Sequence, residues 1–182
     1  MKIPVPIGGP EVVWKKYGKS VVRQDFRYPD GSTRDFYFWG GGRPAIVLAI
    51  TKDGNVVAGR QFRHGVNAVV DEIPGGHRDS DEETVVDAVR RELREEVGVE
   101  AGRLIELPWF YLDPPSNGVV VTPFLALDCE RVGGQNLDPT EVVEVLELPV
   151  REWYARMRQP GGDAKTQVAS FLAMPYLEPY LE

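Results

Sequence analysis

Three glutamates crowd the run RRELREEVGV (90–99): Glu92, Glu95 and Glu96, with Glu83 a short way upstream. Grouped carboxylates suit the binding of a hard dication such as Mg²⁺ or Mn²⁺ through oxygen. The competing explanation is a solvated helix face. On a wheel turning about 100° per residue, Glu96 lies roughly 40° and Glu95 roughly −60° from Glu92, so all three leave one wedge. Val86, Val89, Leu93 and Val97 fall at roughly 120°, 60°, 100° and 140° and mark the buried stripe. Glu96 therefore borders the core. Two carboxylates about 5 Å apart at an effective dielectric near 20 repel by roughly 3 kcal/mol. Arg91 can answer Glu95 four residues on, and Glu83 can act as a cap. Arg90 and Arg94 sit on the back, however, and Glu92 and Glu96 have no cation three or four positions away on their own side. A bound metal supplies the missing charge.

The elements that must position this helix follow from periodicity and turn chemistry. Ser80 and Glu83 have capping-box spacing, which predicts a helix from about Ser80 to Gly98, with the glycine ending it in a left-handed conformation. Residues 12–39 read as antiparallel strands with PDGS (29–32) as a turn, and GGGRP (40–44) as a break. AIVLAI (45–50), TKDGN (51–55) and VVAGRQF (56–62) predict a second hairpin, and VVDEIPGG (69–76) a short strand running into a glycine turn. Further strands are expected at 103–112, 118–128 and 141–150, then helices at 151–159 and 165–177. Strands around one central helix, followed by closing helices, indicate an α/β (α+β) class with a mixed sheet between helices.

The whole chain sets outer bounds. Its 182 residues, 42% of them hydrophobic, suit one compact domain with a small appendage. A net charge of −7 argues against a nucleic-acid backbone binder, which would show a basic patch. The single cysteine, Cys129, excludes an intrachain disulfide and a thiolate cluster. The start, MKIPVPIGGP, lacks the apolar core of a secretory signal, and no stretch reaches 18 uninterrupted apolar residues. These features predict a soluble, cytoplasmic protein with no membrane segment.

The run from Gly76 to Val99 resembles the Nudix box, G-x(5)-E-x(7)-R-E-U-x-E-E-x-G-U, with U a bulky aliphatic residue. Arg91, Glu92, Leu93, Glu95, Glu96, Gly98 and Val99 match its second half, and Glu83 its first glutamate. Where the pattern has glycine this chain has His77, with Gly76 one residue early, a single-residue insertion in HRDSD (77–81). The resemblance implies an α/β/α sandwich over 44–182 preceded by an N-terminal β extension over 1–43. It implies metal ligation by Glu92, Glu95, Glu96 and the Gly75 carbonyl. Arg91 and Glu83 would orient the carboxylates. The implied reaction is hydrolysis of a diphosphate.

Features outside the box select the substrate class. GRQFRHG (59–65) followed by DEIPGG (71–76) resembles the strand pair of ADP-ribose pyrophosphatases and related nucleoside-diphosphate-sugar hydrolases. That resemblance gives ligand-binding roles to Arg63, whose guanidinium fork matches diphosphate oxygens, and to Glu72, which can accept from ribose hydroxyls. Pro114 and Pro115 stand where this group carries a proline, but PPSNG (114–118) departs from its usual loop and the acidic residue often found beyond it is absent. Glu141 falls where the group often has a glutamate on a loop, as general base or further metal acid, with Asp138 and Glu144 as rivals. The extension implies a homodimer and helps cover the base, with Phe26, Tyr28 and Trp39 as stacking candidates. Each also has a plain packing reading. His64, His77 and Cys129 read as structural. Two alternatives stay open: a nucleoside-triphosphate house-cleaning hydrolase, disfavoured by the extension and the prolines, and a non-catalytic Nudix-like binding module, disfavoured by the four box glutamates.

Overall fold

Every residue of AIVLAI is buried in the computed structural model because both faces of this strand are covered. Apart from Asp138, Thr140 and Glu182, and the side chain of Leu181, all residues of the chain are described. They divide into two compact units, one of Met1–Gly42 with Tyr111–Val120 and one of Arg43–Phe110 with Val121–Glu182. Segment 111–120 thus belongs with the N-terminal residues through long-range contacts that no local signal carries.

In the first unit, β1 (Val5–Lys16), β2 (Lys19–Arg27) and β3 (Thr33–Trp39) form an antiparallel sheet in that order. Tyr17 (φ 50°) and Gly18 (φ 71°) make a two-residue hairpin turn with both residues left-handed. Asp30 closes the predicted PDGS turn by accepting from the Ser32 N–H at 2.8 Å. Strand β1 begins at Val5, earlier than the sequence predicts, inside a proline- and glycine-rich run. It is an edge strand, where proline is tolerated, and a register shift between Ile7 and Glu11 absorbs Gly8, Gly9 and Pro10.

The remaining elements, all within the second unit except Tyr111 and Val120, are β4 (Ala45–Thr51), β5 (Asn55–Arg63), β6 (Ala68–Glu72), β7 (Gly75–Gly76), α1 (Val85–Val97), β8 (Val99–Glu100), β9 (Arg103–Glu106), β10 (Phe110–Tyr111), β11 (Val120–Arg131), β12 (Val143–Pro149), α2 (Val150–Met157), α3 (Ala164–Ala173), a 3₁₀ turn at Met174–Tyr176 and α4 (Glu178–Leu181). Its sheet is mixed: β11 lies parallel to β4, whereas the β4–β5, β5–β12 and β5–β6 pairs are antiparallel. On one face Val47, Ala49, Val57, Phe124 and Ala126 pack against Val89, Leu93 and Val97 of α1. Helices α2 and α3 cover the other face, where the buried Trp153 donates from Nε1 to Ser170 Oγ at 2.9 Å. The architecture is the expected α/β/α sandwich. Pro108 and Pro175 divide two elements that the pattern read as continuous, the strand over 103–112 and the helix over 165–177, since proline cannot donate to a ladder or continue a helix.

Helix α1 starts later than predicted. Its N-cap is Thr84, whose Oγ1 accepts from the Asp87 N–H at 3.1 Å. The Ser80–Glu83 contact does exist, with Glu83 N–H donating to Ser80 Oγ at 3.3 Å, but it shapes the preceding loop. Ser80 there spends its hydroxyl on nearby backbone, the alternative that competes with helix. The buried stripe is shifted accordingly: Ala88 joins Val89, Leu93 and Val97, and Val86 is exposed. Gly98 ends the helix as expected, left-handed at φ 68° with its N–H donating to the Arg94 and Leu93 carbonyls.

Candidate active site

Two glycines decide how closely α1 can approach the sheet. Gly75 and Gly76 pair with Ile46 and Ala45 of β4. A Cβ on Gly75 would lie 2.3 Å from the Ala45 carbonyl oxygen, and one on Gly76 would lie 2.2 Å from Glu92 Oε1. The β4 backbone leaves no room for a side chain at Gly75, and one at Gly76 would push the Glu92 carboxylate aside, so the glycines let the β7 backbone meet the carboxylates directly. Gly75 N–H donates to Glu96 Oε2 at 3.1 Å.

Around this contact lies a polar cavity of about 400 Å³, lined by Gly75, Gly76, Glu92, Glu95, Glu96 and Glu141 together with Arg91, His77, Asp79, Asn136 and Leu137. Arg91 organises it. Its guanidinium donates to Glu83 Oε1 at 2.9 Å, Glu92 Oε1 at 3.0 Å, Glu95 Oε2 at 3.0 Å and the His77 carbonyl at 2.9 Å. Glu83 also accepts from the Asp79 N–H at 2.7 Å, which ties the loop ahead of α1 to the same hub. Glu92 therefore has a cationic partner after all. That partner is its sequence neighbour, a pairing that counting three or four positions along a helix overlooks.

The electrostatics separate three of the box glutamates. Arg91 holds the Glu83 carboxyl below its ordinary range. Burial raises Glu92, opposed by Arg91. Glu96 is pushed up to about 8, first by burial and then by the charges of Glu92 and Glu141, against the Gly75 N–H and Arg63. The Arg91 guanidinium is held in its charged form by Glu83 above all. The pocket thus has more acid than Arg91 can balance.

No group of three or more acidic, histidine or cysteine side chains among the described residues is gathered as a ready-made cage. Arg91 instead draws Glu92 and Glu95 to itself. The donor set still fits a hard dication: carboxylate oxygens and backbone carbonyls of the glycine turn, with buried acids whose mutual repulsion a cation would relieve.

The remaining predicted residues divide. Glu141 enters the pocket. Glu144 is exposed on β12 opposite Arg60, and Asp138 lies outside the described residues. Arg63 and Glu72 meet each other in a two-pronged pair, Nε and Nη2 donating at 2.6 Å each, with Glu72 only 8% exposed. Phe26, Tyr28 and Trp39 belong to the other unit, where Phe26 packs edge-on against Phe36 at 5.6 Å, Tyr28 stacks on Phe36 at 6.4 Å, and Trp39 is exposed. Cys129 is buried, which raises its thiol to about 12. Asp79, Asn136 and Leu137 were not foreseen. Asp79 sits in the unusual loop before Glu83, but Asn136 and Leu137 carry no local signal.

An α/β/α sandwich whose one long helix presents clustered carboxylates to a glycine turn is a recognisable class of hydrolase. The NUDIX domain description matches residues 42–167, and the chain belongs to the Nudix family. It is 33% identical over 132 residues to the ADP-ribose pyrophosphatase of Bacillus subtilis (strain 168), covering 71% of this chain and 70% of that one. It is 27% identical over 147 residues to the methanol dehydrogenase activator of Bacillus methanolicus, covering 80% and 79%. A crystal structure of an ADP compounds hydrolase superposes with a TM-score of 0.83 at 21% identity, covering 97% of this chain and 95% of that one, which shows the shared fold. The chain is a Nudix pyrophosphohydrolase of the ADP-ribose pyrophosphatase-like kind, and such enzymes generally use a divalent metal.

Proposed function

We propose that this chain hydrolyses the diphosphate bond of ADP-ribose or a related nucleoside diphosphate sugar in a reaction that depends on Mg²⁺ or Mn²⁺. The observation that carries the reading is the pocket in which Glu92, Glu95, Glu96 and Glu141 face the Gly75–Gly76 turn. Glu92, Glu95, Glu96 and the Gly75 carbonyl would hold the ions. Bound metal neutralises the diphosphate and lowers the pKa of water. The chain's own groups do the rest. Arg91, fixed by Glu83, holds the carboxylates in place, and Glu141 takes the proton of the attacking water or adds a further acid to the metal site. Arg63 turns its fork from Glu72 to the diphosphate oxygens, and Glu72 accepts from ribose hydroxyls. With ADP-ribose, water's oxygen ends on one phosphorus as the bridging P–O bond breaks, giving AMP and ribose 5-phosphate.

Similarity to the ADP-ribose pyrophosphatase of Bacillus subtilis supports an adenosine diphosphate substrate. In the N-terminal unit, the β1 edge and the exposed Val12, Val13, Trp14, Phe36, Tyr37 and Trp39 favour a homodimer through this sheet, where Phe26, Tyr28 and Trp39 would cover the base. No helix among the described residues is long and apolar enough to cross a membrane, and a buried free thiol suits the cytoplasm, which we take as the place of action. Chromatography of products from ADP-ribose, ADP-glucose, GDP-mannose, NADH, diadenosine polyphosphates and nucleoside triphosphates, with and without Mg²⁺ or Mn²⁺, tests the reading. Metal-dependent AMP and ribose 5-phosphate are expected; turnover of triphosphates alone, or binding of ADP-ribose without products, would overturn it.

A further inference from the structure

Three cavities of the Arg43–Phe110 and Val121–Glu182 unit adjoin one another. The carboxylate pocket and a narrow neck of about 30 Å³ share Gly75 and Glu96. That neck and a wider cavity of about 560 Å³ share Arg63, Glu72 and Lys165. Two cations border the neck, and they differ in one respect. Arg63 spends its fork on Glu72. Lys165 is half-buried, yet makes no hydrogen bond or ion pair with any described residue.

A lysine without a protein partner on the shared lining of two cavities is open to a ligand, because lysine ordinarily reaches water or a carboxylate. Here the root of the side chain is fixed. Asp163 caps α3 by accepting from the Thr166 N–H at 2.9 Å, and buried Thr166 Oγ1 accepts from the Ile73 N–H at 3.2 Å. Lys165 is thereby held beside the strand that leads into Gly75. An anionic group in the neck or the wider cavity would satisfy the ammonium, whereas a neutral ligand would leave it unpaired.

We propose that Lys165 is a substrate-binding, specificity-determining residue whose ammonium pairs with phosphoryl oxygens of the part of the diphosphate lying outside the carboxylate pocket. This inference rests on the diphosphate reading above. The test is steady-state hydrolysis of ADP-ribose with Mg²⁺ by the full chain and by Lys165→Gln, Lys165→Glu and Lys165→Arg, with melting curves and titration of each by Mn²⁺ alone. Losing a hydrogen bond to a charged group should raise KM about ten- to a hundredfold in Lys165→Gln, with kcat nearly unchanged. Lys165→Glu should be worse and Lys165→Arg close to wild type, with Mn²⁺ affinity and melting temperature unaltered throughout. An unchanged KM in Lys165→Gln and Lys165→Glu overturns the proposal and leaves the diphosphate reading standing. A loss that arginine does not restore and that tracks a lower melting temperature also overturns it, as a structural role. A wild-type chain inactive on ADP-ribose defeats the diphosphate reading itself.

Discussion

Two charged arrangements lie on either side of the neck, and they solve opposite problems. On the α1 side, Arg91 serves Glu83, Glu92 and Glu95 at once, while the buried Glu96 carboxyl accepts from the Gly75 N–H and keeps its proton up to about pH 8. On the β5–β6 side, Arg63 and Glu72 balance one for one, each occupying the other's hydrogen-bonding edge. A dication would complete the first arrangement. The second is already closed and, on the proposed reading, would open to receive the diphosphate. On that reading, the crowded acids form the metal side and the neutral pair the side that would recognise substrate.

The sharpest way to break this contrast is to remove the acid nearest the core. Outer partners of metal ligands typically carry about ten- to a hundredfold of activity, so Glu96→Gln should lose at least about a hundredfold. Melting curves should show it folded, because a neutral amide replaces a buried carboxylate. Full activity in a folded Glu96→Gln variant would remove α1 from the reaction.

Arg91→Ala should cost about ten- to a hundredfold in activity and about 2 kcal/mol in stability, since several acids lose a charged partner together. Denaturant unfolding with and without Mn²⁺ measures both parts of this. Added metal should restore more stability to this variant than to wild type.

On the neutral side, Arg63→Ala should cost about 2 kcal/mol, because it leaves a buried carboxylate without its counter-charge. The double variant Arg63→Ala/Glu72→Gln should recover most of that loss. Equal losses in the single and double variants would mean that the two residues do not act as a pair.

The pH dependence distinguishes the two sides further. Glu96 ordinarily titrates near 4.5 and is pushed up to about 8 in the folded chain. The folded state holds this proton more tightly than the unfolded one, so the group's stabilising contribution is full below about 4.5 and is lost as pH rises through about 8. Relative to Glu96→Gln, metal-free wild type should therefore melt progressively lower across that window. Mn²⁺, which displaces the proton, should flatten or reverse the slope. A difference independent of pH would contradict this account of the buried Glu96 carboxyl.

The smallest effect concerns where α1 begins. Thr84→Ala should cost about 1 kcal/mol as a lost N-cap, and Ser80→Ala distinctly less, since Ser80 shapes only the loop. The reverse order would restore the earlier helix start that the sequence suggests.

Much of this arrangement is legible in residue order because it depends on short-range geometry. Helical period alone places Glu92, Glu95 and Glu96 on one wedge beside Val89, Leu93 and Val97, and Gly98 marks the stop. Strand β4 follows from its unbroken apolar run, and β5 and β12 from shorter apolar stretches and their turns. The start of α1 is less legible, because Ser80–Glu83 and Thr84–Asp87 both have capping spacing, and which one caps depends on where the loop is tied to Arg91.

Tertiary structure alone decided the contacts between segments remote in the chain. Nothing near Arg63 in sequence announces its closure on Glu72, nor does anything local bring Lys165 to the same neck or Asn136 beside the carboxylates. The reason is physical. Which carboxylates share a helix face follows from the repeat of the backbone, but how strongly each is dehydrated, and which cation reaches it, depends on how sheet and helices pack around them.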